Sequence, residues 1–211
     1  MSASASTARA CWSCKGPVGD APFCPTCNAI QPPNPKQDHF DFLGLPRGYE
    51  VDVAALESAG REWQQKLHPD RFAAKSATER RFSLEQATRL NDAMQALKDP
   101  LRRAEYLLSQ SGVSRGEGTG SGAQDPMFLM EVMELREALS EVDMDADDAM
   151  DRLDSLRDQV EQHADAEVEA LRSAFADMAS PDVEAASVHA DRLRYHQRFL
   201  EEVDRMEEQL F

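Results

Sequence analysis

The sequence predicts an all-α protein built as a small metal-knuckle module, a helical hairpin and an antiparallel three-helix bundle. Three observations predict it: β-branched residues are scarce, prolines fall at regular gaps, and apolar residues recur at helical spacing. Only 17 of 211 residues are Val, Ile or Thr, whereas Ala, Leu, Glu, Gln, Met and Arg abound, which favours helices and leaves little material for a sheet. Six of the 11 prolines (Pro17, Pro22, Pro25, Pro32, Pro33 and Pro35) precede residue 37, so that segment cannot be helical and must be held by something other than a helical core. The other five (Pro46, Pro69, Pro100, Pro126 and Pro181) separate helical patterns.

Each element follows from capping and periodicity. Phe40, Leu43 and Leu45 suit a brief helix ending near Pro46. Asp52 caps a second, whose Leu56, Trp63 and Leu67 share one face until His68-Pro69 ends it. Ser76-Ala-Thr-Glu79 has the form of a capping box and opens a third helix with Phe82, Ala87, Leu90, Met94 and Leu97 on one face. Pro100 starts a fourth, with Leu101, Ala104, Leu107 and Leu108 apolar. Residues 112–125 hold five of the ten glycines and read as a linker. Beyond them Asp125-Pro126, Asp145 to Asp148 and Ser180-Pro181 mark helix starts, giving helices over about 126–143, 147–179 and 181–209. The expected domains are therefore 1–37, 38–111, the linker 112–125, and 126–211. No internal repeat is evident.

Charge narrows the partners. The chain carries 39 acidic and 23 basic side chains, a net of −16, which opposes binding to a nucleic-acid backbone or an anionic membrane. The charge is uneven: residues 1–37 carry +2, residues 38–111 carry −1 and residues 112–211 carry −17. No run of eighteen apolar residues occurs, and Met1 to Arg9 offers neither an apolar secretory core nor an Arg-rich amphipathic helix. The expected location is cytoplasmic, with the mitochondrial matrix as the alternative.

All four cysteines lie in two C-x-x-C knuckles, Cys11-Trp-Ser-Cys14 and Cys24-Pro-Thr-Cys27. Four soft sulfur ligands in this spacing suit one tetrahedral, closed, structural zinc ion. Its binding energy would fold the proline-rich segment. A C-x-x-C redox pair or a bound iron is the alternative, and a zinc-ribbon nucleic-acid binder is a weaker one, because residues 1–37 lack a basic-aromatic surface.

His68-Pro69-Asp70 lies between two amphipathic helices in the run Trp63-Gln-Gln-Lys-Leu-His-Pro-Asp-Arg-Phe72. Taken alone, the tripeptide is a helix end followed by an ordinary turn. In its context it resembles the J-domain, the module that stimulates ATP hydrolysis by DnaK-type chaperones. Residues 89–108 (Arg-Leu-Asn-Asp-Ala-Met-Gln-Ala-Leu-Lys-Asp-Pro-Leu-Arg-Arg-Ala-Glu-Tyr-Leu-Leu) and 128–137 (Phe-Leu-Met-Glu-Val-Met-Glu-Leu-Arg-Glu) narrow the resemblance to the HscB/Jac-type co-chaperones of iron–sulfur cluster assembly. The tetracysteine start is similar to the longer, mainly eukaryotic form of that family.

The resemblance implies a protein that is not itself an enzyme. It would present His68, Pro69 and Asp70, with Arg61, Lys66, Arg71 and Lys75, to a DnaK/HscA-type chaperone. It would hold an IscU-type iron–sulfur scaffold through Leu129, Met130, Met133, Glu134, Glu137 and Tyr195, where Met133 replaces the family's usual Leu and Tyr195 its Phe. A J-protein for other clients is the alternative. Periodicity supports an exposed face independently. Phe128, Val132, Leu135, Leu139 and Val142 complete one core stripe, leaving Leu129, Met130 and Met133 off its axis. In the last helix Ala186, Ala190, Leu193, Leu200 and Val203 make the corresponding stripe, and His163, His189 and His196 read as solvated surface positions.

Overall fold

The computed structural model describes residues 9–112 and 125–210. Most of the expected linker, 113–124, lies outside them. Among the described residues there are seven α-helices and no strand: α1 (His39–Leu43), α2 (Val53–Leu67), α3 (Ala77–Lys98), α4 (Pro100–Gln110), α5 (Pro126–Ser140), α6 (Ala149–Ala174) and α7 (Val183–Glu207). A 3-10 turn, Pro69–Phe72, joins α2 to α3.

The expected caps form. The Asp52 carboxylate accepts from the Ala54 and Ala55 amides, and Ser76 with Glu79 makes the reciprocal capping box. Asp125 caps α5 ahead of Pro126. The start of α7 differs from expectation: Asp182, rather than Ser180, accepts from the Ala185 amide, so the helix begins at Val183 beyond Pro181. The bundle helices are also shorter at their C-terminal ends than periodicity suggests, because Glu141 and Phe175 close α5 and α6 with their own backbone turns.

The chain divides into two compact units. The first holds residues up to Arg47 together with Val51–Asp99, and the second holds Gly48–Glu50 with Pro100–Phe211. In the first, α2 and α3 form the hairpin, with Leu56, Leu67, Phe72, Phe82, Leu90, Ala93 and Leu97 buried. Trp63 is half-buried and stacks on Phe42 at 5.8 Å. Two buried polar residues on α3 escaped the apolar pattern. The Ser83 hydroxyl donates to the Leu67 carbonyl at 2.8 Å, satisfying the last carbonyl of α2 where the Arg71 amide turns to the His68 carbonyl instead, and Gln86 Nε2 donates to the Gln31 carbonyl at 3.0 Å. Trp12 meets Phe82 edge-on at 5.9 Å, so α3 is also the surface on which the cysteine segment is built.

In the second unit α6 and α7 pair along most of their length, and α4 packs on both. Leu135, Leu139, Val142, Leu153, Leu156, Val160, Phe199 and Val203 form the core. Sequence grouped 100–110 with the hairpin, whereas packing groups α4 with the bundle. Pro100 breaks the helix after Lys98, which frees the apolar face Leu101, Ala104, Leu107 and Leu108 to be buried on a different axis. Tyr49 joins this unit, stacked on Phe175 at 5.5 Å with its carbonyl accepting from Arg103 at 2.7 Å.

Because Ser83 is fully buried, Ser83→Ala should lower the unfolding free energy by about 1–3 kcal/mol, the cost of leaving the Leu67 carbonyl unpaired. Urea denaturation followed by circular dichroism measures it.

Candidate functional site

The cysteine segment is a pair of matched turns. The Cys11 amide donates to the Gly16 carbonyl and the Lys15 amide to the Cys11 carbonyl; thirteen residues on, Cys24 bonds to Ala29 and Asn28 to Cys24 in the same pattern. Lys15 and Asn28, each following the second cysteine of its knuckle, both adopt left-handed backbone (φ 64° and 55°). The bridges Ala10–Pro17 and Phe23–Ile30 complete the correspondence. This is a thirteen-residue structural repeat that sequence inspection missed, since little beyond the cysteines is shared between its halves.

The four Sγ atoms lie within 4.8 Å of one another, with Cys11–Cys27 and Cys14–Cys24 both at 3.7 Å. Tetrahedral zinc with 2.3 Å bonds to sulfur needs sulfurs about 3.8 Å apart, so the donors fit the ion. All four cysteines are free, and the separations are far beyond disulfide bonding. Burial alone would raise the Cys11 thiol, but the Cys14 and Ser13 amides and the neighbouring thiols bring it down to about 6. Amide bonds from Cys27 and Thr26 lower Cys24 against its burial. Gln31 Nε2 donates to Cys11 Sγ at 3.3 Å and to the Ala29 carbonyl at 2.7 Å, fixing one thiolate from behind.

The His68-Pro69-Asp70 turn projects from the hairpin with all three residues exposed. His68 ends α2 and also caps the 3-10 turn: the Asp70 amide donates to its Nδ1 at 3.3 Å. The Asp70 carboxylate is therefore left almost entirely to solvent, its side chain 90% accessible and 3.6 Å from the imidazole. Arg61, Lys66, Arg71 and Lys75 are exposed on the same unit. Arg61 pairs with Glu57 at 3.7 Å, and Lys66 pairs with Glu62 while covering the Trp63 ring. Lys66, Arg71 and Lys75 line a cleft of about 520 Å³ together with Phe23 and Asn28 of the second knuckle. No sequence signal placed the knuckle beside these cations.

On α5, Leu129, Met130 and Met133 are 44, 63 and 69% accessible, and Met127 is 78% accessible. Met127 extends the expected patch. Glu134 and Glu137 are exposed with them. Tyr195 is less open than its neighbours on α5: its ring meets Phe128 edge-on at 5.7 Å and its hydroxyl accepts from Arg136 Nε at 3.2 Å.

Known proteins share this arrangement. Residues 124–204 match the family described as the HSCB C-terminal oligomerisation domain. The "Iron-sulfur cluster co-chaperone protein HscB homolog" of Arabidopsis thaliana is 38% identical over 92% of this chain and 72% of that protein. The chain belongs to the HscB family. A "Co-chaperone protein HscB homolog" of Vibrio vulnificus is 39% identical over 82% of this chain and 99% of its own length. The crystal structure of human co-chaperone protein HscB superimposes with a TM-score of 0.83 at 33% identity, covering 93% of this chain and 97% of that one.

Within this HscB-family bundle the expectation for the histidines is corrected. His196 is fully buried, and His163 and His189 are partly buried against Glu131 and Glu167. The signal was present in the register: His196 continues the stripe Ala186, Ala190 and Leu193, and Phe199, rather than Leu200, carries it on to Val203.

The open patch yields a stability expectation. Leu129→Ala with Met133→Ala should shift the melting temperature by less than about 2 °C, because exposed side chains contribute little to the folded state. Differential scanning calorimetry checks it, and a larger loss would place both residues in the core.

Proposed function

We propose that this protein is a co-chaperone of iron–sulfur cluster assembly that stimulates ATP hydrolysis by a DnaK/HscA-type chaperone while holding an IscU-type scaffold, promoting cluster release or transfer. Membership of the HscB family supports the general role. The observation that carries the finer reading is the exposed His68-Pro69-Asp70 turn at the tip of a hairpin whose α2 end is pinned by Ser83. A turn whose polar groups are not used to build a core is available to a partner.

The hairpin unit, residues 38–99, acts as the J-domain, with His68, Pro69 and Asp70 meeting the chaperone and Arg61, Lys66, Arg71 and Lys75 supplying positive charge around them. Residues 126–211 hold the scaffold through Leu129, Met130, Met133, Glu134, Glu137 and Tyr195. Burying each apolar side chain on association contributes roughly 1.5–3 kcal/mol before ordering costs, enough for a micromolar complex. One zinc ion, held by Cys11, Cys14, Cys24 and Cys27, is structural: four thiolates leave no open position for chemistry. The setting is the cytoplasm, with the mitochondrial matrix as the alternative.

ATPase measurements on a DnaK-type chaperone, with and without scaffold, test the reading. Wild type should stimulate hydrolysis, more so with scaffold, and His68→Gln should abolish the effect. Stimulation that survives His68→Gln sinks the J-domain assignment; stimulation indifferent to scaffold points to other clients. Leu129→Ala with Met133→Ala should weaken scaffold binding at least about tenfold by calorimetry.

The zinc assignment predicts one ion per chain at the thiolate site. Cys11→Ser with Cys24→Ser should lose it and make residues 9–37 protease-sensitive while the bundle keeps its helicity.

A further inference from the structure

The core stripe of α6 reads Leu153, Leu156, Val160, His163, Glu167, Leu171 and Ala174, so two polar residues occupy positions that periodicity reserves for apolar ones. They divide into two clusters with different chemistry. Glu167 closes its own: His189 Nδ1 lies 2.6 Å from one carboxylate oxygen and Arg192 3.7 Å from the other, and Arg192 also pairs with Asp125. His163 does not. Its Nδ1 lies 2.7 Å from Glu131 Oε1 without hydrogen-bond geometry, and His196 Nε2 lies 3.7 Å from that same oxygen. Glu131 Oε1, His163 Nδ1 and both His196 nitrogens are buried atoms with no hydrogen-bond partner among the described residues.

Buried polar atoms are ordinarily paired, and four orphans converging from three helices need an explanation. The ligand atoms of Glu131, His163 and His196 all lie within 4.8 Å of one another. Zinc bonds of about 2.1 Å to nitrogen and oxygen require tetrahedral ligand separations of about 3.4 Å, a value bracketed by the 2.7 and 3.7 Å distances. Two imidazoles and one carboxylate are a donor set for divalent first-row metals.

We propose that Glu131 of α5, His163 of α6 and His196 of α7 form a second metal site for a divalent first-row ion such as zinc, distinct from the four cysteines. Glu131 and His163 are each about one-third exposed and provide entry, while His196 is the buried ligand. The ion fastens α5, the helix of Leu129, Met130 and Met133, to the α6–α7 pair. The site is independent of the chaperone reading and stands or falls without it.

The test uses the full chain without a polyhistidine tag, titrated with zinc in equilibrium dialysis and with Co²⁺ as the spectroscopic probe. Wild type should bind one equivalent more than either Glu131→Gln or His163→Gln. The additional Co²⁺ should give visible bands without thiolate charge transfer, and the zinc it represents should raise the melting temperature by several degrees in wild type alone. Both variants keep His196 and should retain wild-type helicity by circular dichroism. Equal stoichiometry in wild type and both variants, or an additional equivalent whose Co²⁺ spectrum is that of thiolates, overturns the proposal.

Discussion

The pairing of α6 with α7 is the constraint from which the rest of the bundle follows. Their 26 and 25 residues are nearly matched in length, and each uses its apolar stripe mainly on the other. A helix added to such a pair can bury one face only. With 15 residues, α5 covers part of the pair through Phe128, Leu135 and Leu139, and Leu129, Met130 and Met133 are left exposed among the described residues. The exposed patch is thus a geometric consequence of which helices pair first. The same pairing draws His196 inside, because its position in the α7 register faces α6 whatever residue occupies it.

The hairpin is governed by local hydrogen bonding rather than by packed area. Pro69 cannot continue α2, so its last carbonyls need other donors, and Ser83 supplies one from α3. His68 then caps the following turn with its own imidazole. These interactions hold the backbone around Pro69 while leaving the Asp70 carboxylate in water.

The cysteine segment depends on the first unit in a way its composition does not suggest. Two matched turns bring the sulfurs to metal-ligand separation, but the module is seated by Trp12 on Phe82 and by Gln86 on the Gln31 backbone. An aromatic edge and a buried amide therefore supplement the small buried cluster of Cys11, Val18 and Cys24. One result is that Phe23 and Asn28 line the same cleft as Lys66, Arg71 and Lys75.

Much of this was legible because it is local. Proline spacing, the Asp52 and Ser76 caps, C-x-x-C spacing and the 3-4 stripe of α5 depend only on bond geometry and helical periodicity within a few residues. The exposure of Leu129, Met130 and Met133 was legible for the same reason, being a matter of angle on one helix. What sequence could not decide depends on partners distant along the chain. The attachment of α4 to the bundle, the seat of the knuckles on α3 and the meeting of Glu131, His163 and His196 are set by which surfaces pack together. By itself, then, the sequence determined the helices, the Asp52, Ser76 and Asp125 caps, and the family. Tertiary structure alone decided which polar residues were carried into the interior, because burial belongs to the assembled helices and not to any one of them.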